Sequence, residues 1–379
     1  MKKSSGMRQN TIDNVLIKPA GPSCNLACNY CFYLDKEELY PGRTRMELSV
    51  AEEMISQLMQ PGTPVTFSWQ GGEPTLMGLD FFEEMIGIQK KHGRGGQQVT
   101  NTIQTNGLLL SDKWADFFSR YNFLVGLSLD GPRDLHDANR RGPEGGESFA
   151  RVMEAARLLQ SKDVPFNILT VLNSRTVKQP KRILNFFLQN DFTHFQFIPA
   201  IELVETDKGR RVASFSPEPE EFGRFLDEVF SRWSESFPPD FSVRYFESLL
   251  NASIGRDPSM CKIDADCGSY LVVEYNGDIY PCDFFVEEER YLGNISEMAF
   301  SEIRASREFS EFAGSKTRLP EECKTCDYLM YCYGGCPRYR GLPGGPGDRS
   351  YLCEGYRYFL LRNLDKLQQI AGKVRNGGR

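Results

Sequence analysis

Residues 24–33 read Cys-Asn-Leu-Ala-Cys-Asn-Tyr-Cys-Phe-Tyr, three thiols within a loop-sized stretch that follows the apolar run Val15 to Lys18. A four-iron cubane takes four ligands, so three thiolates leave one iron open to another molecule. Zinc in a structural site takes four protein ligands, and none of the chain's 3 His lies nearby to complete it. The remaining alternative at this point is a zinc loop that borrows a distant cysteine.

Working outward from that stretch, the body alternates short β-type runs with amphipathic helical stretches. The expected strands are Val15 to Lys18, Val65 to Trp69, Thr102 to Gln104, Phe123 to Leu129, Phe166 to Leu172 and His194 to Ile198. Between them lie helix signals: a capping-box pattern at Ser49 and Glu52, and apolar spacing at Phe149, Val152, Ala156 and Leu159. Strands alternating with helices imply right-handed crossovers and a parallel sheet, either doubly wound or curled into a barrel. Ligands sit at the C-terminal strand ends in both. After the first strand comes the cysteine loop. The next three strand ends are followed by Gln70-Gly71-Gly72-Glu73-Pro74, by Gln104-Thr105-Asn106-Gly107 and by Asp130-Gly131-Pro132. These loops should face one cavity, into which Gln70 and Gln104 point.

The chain has 379 residues, 40% hydrophobic and 25% charged, with 45 Lys plus Arg against 51 Asp plus Glu and a net charge of -6. That balance, without a basic block, argues against nucleic acid or an anionic membrane as the main partner. The polar stretch Met1 to Thr11 lacks an apolar h-region, and no long uncharged apolar run follows, so a soluble cytoplasmic protein is expected. The 11 cysteines are segregated: Cys24, Cys28 and Cys31, then none across residues 32–260, then eight from Cys261 to Cys353. Scattered small hydrophobes would not segregate, and a disulfide framework suits neither an odd count nor a reducing compartment.

Beyond Pro217 the pattern changes to a helix around Phe222 to Trp233, another near Tyr245 to Leu250, and the second cysteine region. There Leu271 to Tyr275 and Asp278 to Tyr280 around Asn276-Gly277 read as a β-hairpin. Gly341 to Gly347 reads as a Gly/Pro loop, and Cys353 to Ile370 as a closing helix. The domains expected are 1–240 and 241–379.

The spacing Cys24-x3-Cys28-x2-Cys31 with Tyr33 resembles the radical S-adenosylmethionine (SAM) superfamily, in which SAM chelates the open iron. That resemblance implies an α/β fold, a partial (β/α)6 barrel of the TIM type. It further implies that Gly71-Gly72-Glu73-Pro74 receives the SAM amino group, Ser128 and Arg140 its carboxylate and ribose, and Tyr33, Gln70 and Gln104 other parts of the cofactor site. Arg141 is the neighbouring substitute for Arg140. The later cysteines resemble the SPASM domain, a small α+β extension with two auxiliary clusters. Cys261, Cys267, Cys282 and Cys336 then hold one, and Cys323, Cys326, Cys332 and Cys353 the other, so that three [4Fe-4S] clusters use every cysteine. Zinc ribbons are the competing reading, weakened because among the later cysteines Cys323 and Cys326 form the one Cys-x2-Cys pair. Asp283, in Tyr280-Pro281-Cys282-Asp283-Phe284-Phe285, is a carboxylate flanked by apolar rings and suits a general base.

Across nearly its whole length the chain resembles anaerobic sulfatase-maturating enzymes, in segments such as Leu16-Ile17-Lys18-Pro19, Val125-Gly126-Leu127-Ser128 and Val272-Val273-Glu274. The family resemblance implies oxidation of a Cys or Ser in a Cys/Ser-x-Pro-x-Arg stretch of a nascent or unfolded sulfatase to Cα-formylglycine. SAM supplies the hydrogen-abstracting radical, Asp283 takes the proton, and the electron leaves through an auxiliary cluster. A flavodoxin- or ferredoxin-type electron donor and a monomeric state are expected. Two rivals are a SPASM enzyme that builds thioether or carbon-carbon links in peptides and a non-catalytic electron carrier. The first often carries a peptide-recognition domain for which the 23 residues before Cys24 leave no room. The second has no need of an open iron.

Overall fold

The computed structural model describes residues 14–42, 44–207 and 209–377. The polar stretch Met1 to Thr11 lies outside them. Six strands, β1 (Asn14–Lys18), β2 (Val65–Trp69), β3 (Val99–Thr105), β4 (Leu124–Ser128), β5 (Phe166–Leu172) and β6 (His194–Pro199), run parallel in sequential order. A doubly wound sheet would reverse its order at a switch point. This one winds in a single direction, and β1 does not pair with β6, so the sheet is a partial barrel.

The alternation within the strands explains why. Val65, Phe67 and Trp69 are buried while Thr66 and Ser68 between them are half-buried. The buried set packs in one core with the apolar faces of the covering helices. Those helices are α1 (Leu48–Leu58), α2 (Leu79–His92), α3 (Asp112–Arg120), α4 (Phe149–Ser161) and α5 (Pro180–Gln189). On α1 the buried residues Ala51, Met54, Ile55 and Leu58 recur with helical period. The other strand face carries half-buried small or polar side chains, including Ser68, Gln104, Gly126 and Gln196.

The capping box expected at Ser49 is not formed. The helix begins at Leu48 with Glu47 as N-cap, which puts Ser49 inside the first turn. Glu52 instead binds Lys91 at 2.6 Å and His92 at 2.8 Å on α2. The third strand is longer than expected, because Asn101 on its early half is fixed by Trp69 Nε1 at 2.9 Å and Gln89 Nε2 at 3.0 Å.

Two more helices follow, α6 (Pro219–Trp233) and α7 (Arg244–Ser253), with a short strand β7 (Ser242–Val243) pairing to β6. The hairpin β8 (Leu271–Glu274) and β9 (Asp278–Tyr280), with β10 (Gly293–Asn294), joins the same ten-stranded sheet, because β8 pairs parallel with β1. The register sets Lys18 beside Glu274. The closing helix α8 (Cys353–Gly377) runs beyond the expected Ile370 and packs on α6 and α7. A proposed boundary near residue 240 therefore falls between elements that share one sheet and one core. Among the described residues, no helix is long and apolar enough to cross a membrane.

Candidate active site

The cysteine loop leaves β1 and is fastened by the ends of the following strands. Gly72 N donates to Gly21 O at 2.8 Å and Glu73 N to Ser23 O at 2.8 Å. Asn106 Nδ2 donates to Asn25 Oδ1 at 2.7 Å. From the loop after β4, the carbonyls of Arg141 and Asn139 accept from Ala27 N at 2.7 Å and Asn29 N at 3.2 Å. Cys28 packs with Leu26 and Tyr30, and Cys24 and Cys31 lie against that small apolar group. The closeness at Gly72 is absolute: a Cβ there would stand 2.0 Å from Ser23 O.

Glu73 is buried, and its carboxylate accepts from Thr75 N at 3.0 Å, Thr75 Oγ1 at 2.5 Å, Thr105 Oγ1 at 2.8 Å and Asn106 N at 2.7 Å. It knots the turn after β2 to the turn after β3. Burial raises its carboxyl above the usual range, against the pull of these donors. Gln70 and Gln104 are half-buried at their strand ends, and Ser128 is buried at the end of β4. Arg140 is buried, pairs through Nε with Asp130 at 3.0 Å and lies over the Tyr30 ring, while Tyr30 Oη donates to the same carboxylate. Arg141 is exposed and donates to Asp137 O.

None of the eleven cysteines is joined in a disulfide. Burial, then the neighbouring Glu73, pushes Cys24 up to about 12, and burial pushes Cys28 up to about 11 against the opposing Arg140. Burial on its own holds these groups as protonated thiols, and a bound cation such as the iron of a cluster would draw them into the thiolate form. The donor set of the loop, three thiols and no imidazole, fits iron-sulfur ligation.

Tyr33 faces the other way, toward the second cysteine region. It is buried, its hydroxyl donates to Glu274 Oε1, and Lys18 Nζ sits 4.3 Å from its ring centre. Lys18 Nζ and Glu274 Oε2 are buried without a hydrogen-bond partner. Burial lowers the Lys18 ammonium, with Asp283 and Glu274 as the nearest opposing charges, and raises Glu274 to about 7. Asp283 itself follows Cys282 on a short turn, and Tyr270 Oη donates to its Oδ1 at 2.9 Å while standing 3.3 Å from Cys282 Sγ.

The eight later cysteines gather in two groups. Cys323, Cys326, Cys332 and Cys353 line one cavity, together with Tyr328 and Tyr356. Cys336 is the neighbour common to Cys261, Cys267 and Cys282, and burial followed by its charge pushes Cys267 up to about 12. Among the described residues, no three His, Cys, Asp or Glu side chains converge on a single metal ion. Arg349 Nη1 lies 3.7 Å from Cys353 Sγ.

Sequence reasoning placed Asn106 and Asp130 in cavity-facing loops without giving them a role, and passed over Tyr30, Tyr270 and the Lys18–Glu274 pair. A signal existed for the last: Val-Leu-Ile-Lys and Leu-Val-Val-Glu are apolar strands that each end in a charge. Their adjacency depends on strand pairing and is invisible in one dimension.

The radical SAM superfamily profile matches residues 19–187, and the profile of an iron-sulfur cluster-binding domain, SPASM, matches residues 266–327. The cysteine-type anaerobic sulfatase-maturating enzyme of Clostridium perfringens is 35% identical over 96% of this chain and 99% of its own length. The serine-type enzyme of Bacteroides thetaiotaomicron is 38% identical over 91% of this chain and 88% of its own. A solved structure described as native anSMEcpe with bound AdoMet and Cp18Cys peptide superposes with a TM-score of 0.87 at 36% identity, covering 95% of this chain and 99% of that one.

Proposed function

The chain belongs to the anaerobic sulfatase-maturating enzymes of the radical SAM superfamily, and from that premise we propose which of its residues carry the oxidation of a sulfatase Cys or Ser to Cα-formylglycine. Cys24, Cys28 and Cys31 hold the cluster that binds SAM. The Gly71-Gly72-Glu73-Pro74 turn presents backbone carbonyls to the SAM ammonium, with Glu73 shaping that turn from beneath. Gln70, Gln104 and Ser128 line the same cavity and Arg140 borders it, held by Asp130, while Tyr33, expected in the cofactor site, turns instead to Glu274 and the second cysteine region. When bound, SAM on the reduced cluster supplies a radical that removes a hydrogen from the target Cβ, and the two auxiliary clusters supply an exit for the remaining electron.

The proton is the work of the chain itself. Asp283 takes it from the target thiol or hydroxyl; with the Cβ hydrogen and one electron also gone, a Ser becomes the aldehyde directly, and a Cys becomes a thioaldehyde that water converts to the aldehyde with release of hydrogen sulfide. Tyr270, donating to Oδ1 at 2.9 Å, leaves the second carboxylate oxygen for the substrate, and this is the observation that carries the assignment. The neighbouring Cys282 would set the base beside the electron exit. The substrate is a nascent or unfolded sulfatase segment. The reading extends to a flavodoxin- or ferredoxin-type electron donor and a monomeric, cytoplasmic enzyme.

The test is anaerobic incubation of reconstituted protein with SAM, a reductant and Cys- or Ser-containing sulfatase peptides, followed by mass spectrometry. An aldehyde is expected; a crosslinked peptide would replace this reading with peptide-linking chemistry. Asp283→Asn should still cleave SAM and yield aldehyde about a hundredfold more slowly or less, the scale of removing a positioned base. Wild-type yield in that variant would sink the role of Asp283.

A further inference from the structure

Between the two cysteine groups runs the segment Cys332-Tyr333-Gly334-Gly335-Cys336, whose ends belong to different quartets. Its three middle residues all have left-handed backbone, with φ of +44°, +72° and +70°. Such a turn aims consecutive carbonyls at one point, and the side chain of Arg340 meets them there. Its Nη2 donates to Tyr333 O at 2.8 Å and to Lys316 O at 3.1 Å, its Nε to Gly334 O at 3.0 Å and its Nη1 to Arg318 O at 3.0 Å. A Cβ on Gly334 would meet Nη2 at 2.8 Å, so the glycine is what lets the guanidinium in.

The charge of that guanidinium is felt on both sides, by Cys323 and Cys332 of one quartet and by Cys267 and Cys336 of the other. Among the described residues, no carboxylate forms an ion pair with it. A guanidinium stays protonated at any working pH. It is therefore a fixed, uncompensated cation between two sets of four thiols.

We propose that Arg340 is the positioning residue of the electron exit: it fixes the Cys332–Cys336 connection and, as a shared cation, raises the reduction potentials of both auxiliary clusters. The inference rests on the proposed ligand sets. Reduction adds one negative charge to a cluster already ringed by thiolates, and a nearby cation favours the reduced form. With the clusters bound, the electron leaving the target carbon would reduce the one held beside Asp283, pass to the second and be taken up by an external one-electron carrier of the flavodoxin or ferredoxin class. A cation between the two quartets, acting beside the Lys316 ammonium that is also felt by Cys261, Cys267, Cys336 and Cys332, raises both potentials together and keeps the transfer between the clusters nearly level.

The experiment uses the full-length, anaerobically reconstituted protein with Arg340→Gln and Arg340→Lys, iron analysis and a redox titration followed by electron paramagnetic resonance. In iron-replete Arg340→Gln both auxiliary midpoints should move to more negative values, while the SAM-binding cluster keeps its own. Arg340→Lys should stay nearer the wild type. Unchanged auxiliary potentials in iron-replete Arg340→Gln overturn the proposal. If the Gln variant loses iron, the Lys variant decides: full iron with wild-type potentials supports the cation, and iron loss in both reduces Arg340 to a structural clasp and overturns it. Wild-type protein lacking auxiliary-cluster signals would instead bring down the ligand sets on which the proposal stands.

Discussion

At the N-terminal end of the chain the cysteines sit on a loop whose neighbours are other strand ends; at the C-terminal end they sit on turns and helical segments, with Cys353 opening α8. The first arrangement borrows its rigidity from a parallel sheet. Gly21, Ser23 and Asn25 are each held by a residue from the turn after β2 or β3. The second makes its own rigidity from left-handed turns and from arginines that gather carbonyls, as Arg340 does. The difference follows from what each must admit. A site for a small molecule needs open space facing a fixed frame, whereas fully ligated clusters need only enclosure and a path for electrons.

The sharpest way to break this contrast is to remove one cysteine from each region. Cys24→Ala should lower SAM cleavage by about three orders of magnitude, the scale on which removing an essential catalytic element acts. Cys336→Ala should abolish aldehyde formation yet leave SAM cleavage within about twofold, as expected of sites without shared partners. Chromatographic measurement of 5′-deoxyadenosine beside peptide mass spectrometry separates the two. Equal loss of SAM cleavage in both variants would mean that the regions are not functionally distinct.

A smaller perturbation probes how the sheet lends rigidity to the first loop. Gly72→Ala would press its Cβ to 2.0 Å from Ser23 O, a clash with backbone rather than with a movable side chain. The loop must shift, and overpacking of this kind costs about 1–3 kcal/mol. SAM affinity, measured by calorimetry on the reconstituted protein, should fall by about tenfold or more. Unchanged affinity would show that the turn after β2 does not set the geometry of the cysteine loop.

The two regions also differ in how much of them could be read from the sequence. Strand positions such as Val65–Trp69 and Phe166–Leu172 were legible because alternation and flanking turn residues mark them locally. The cysteines of the first loop were legible for the same reason, lying within one short stretch. What stayed hidden were relations made by pairing. Nothing in one dimension says that the hairpin after residue 270 extends the barrel sheet along β1, or that Glu73 turns away from the cavity to join two turns. Ser49 misled for a related reason: a side chain placed well for capping is no cap once the helix starts two residues earlier than that cap requires.

The seam where the regions meet offers the finest test. Glu274 on β8 lies beside Lys18 on β1, accepts from Tyr33 Oη, and is pushed by burial from 4.5 to about 7. A raised carboxyl means that the folded protein holds a proton which the unfolded chain has already released. Its contribution to stability is therefore complete below pH about 4.5 and is lost as the pH rises through about 7. Each unit of displacement is worth about 1.4 kcal/mol, so the slope amounts to a few kcal/mol at most. Glu274→Gln has no proton to release and should lack the slope, so that its melting temperature gains on the wild type between pH 5 and 8. Parallel profiles would mean that the Lys18 ammonium already compensates the charge, and that the two regions are joined by an ion pair rather than by a protonated acid.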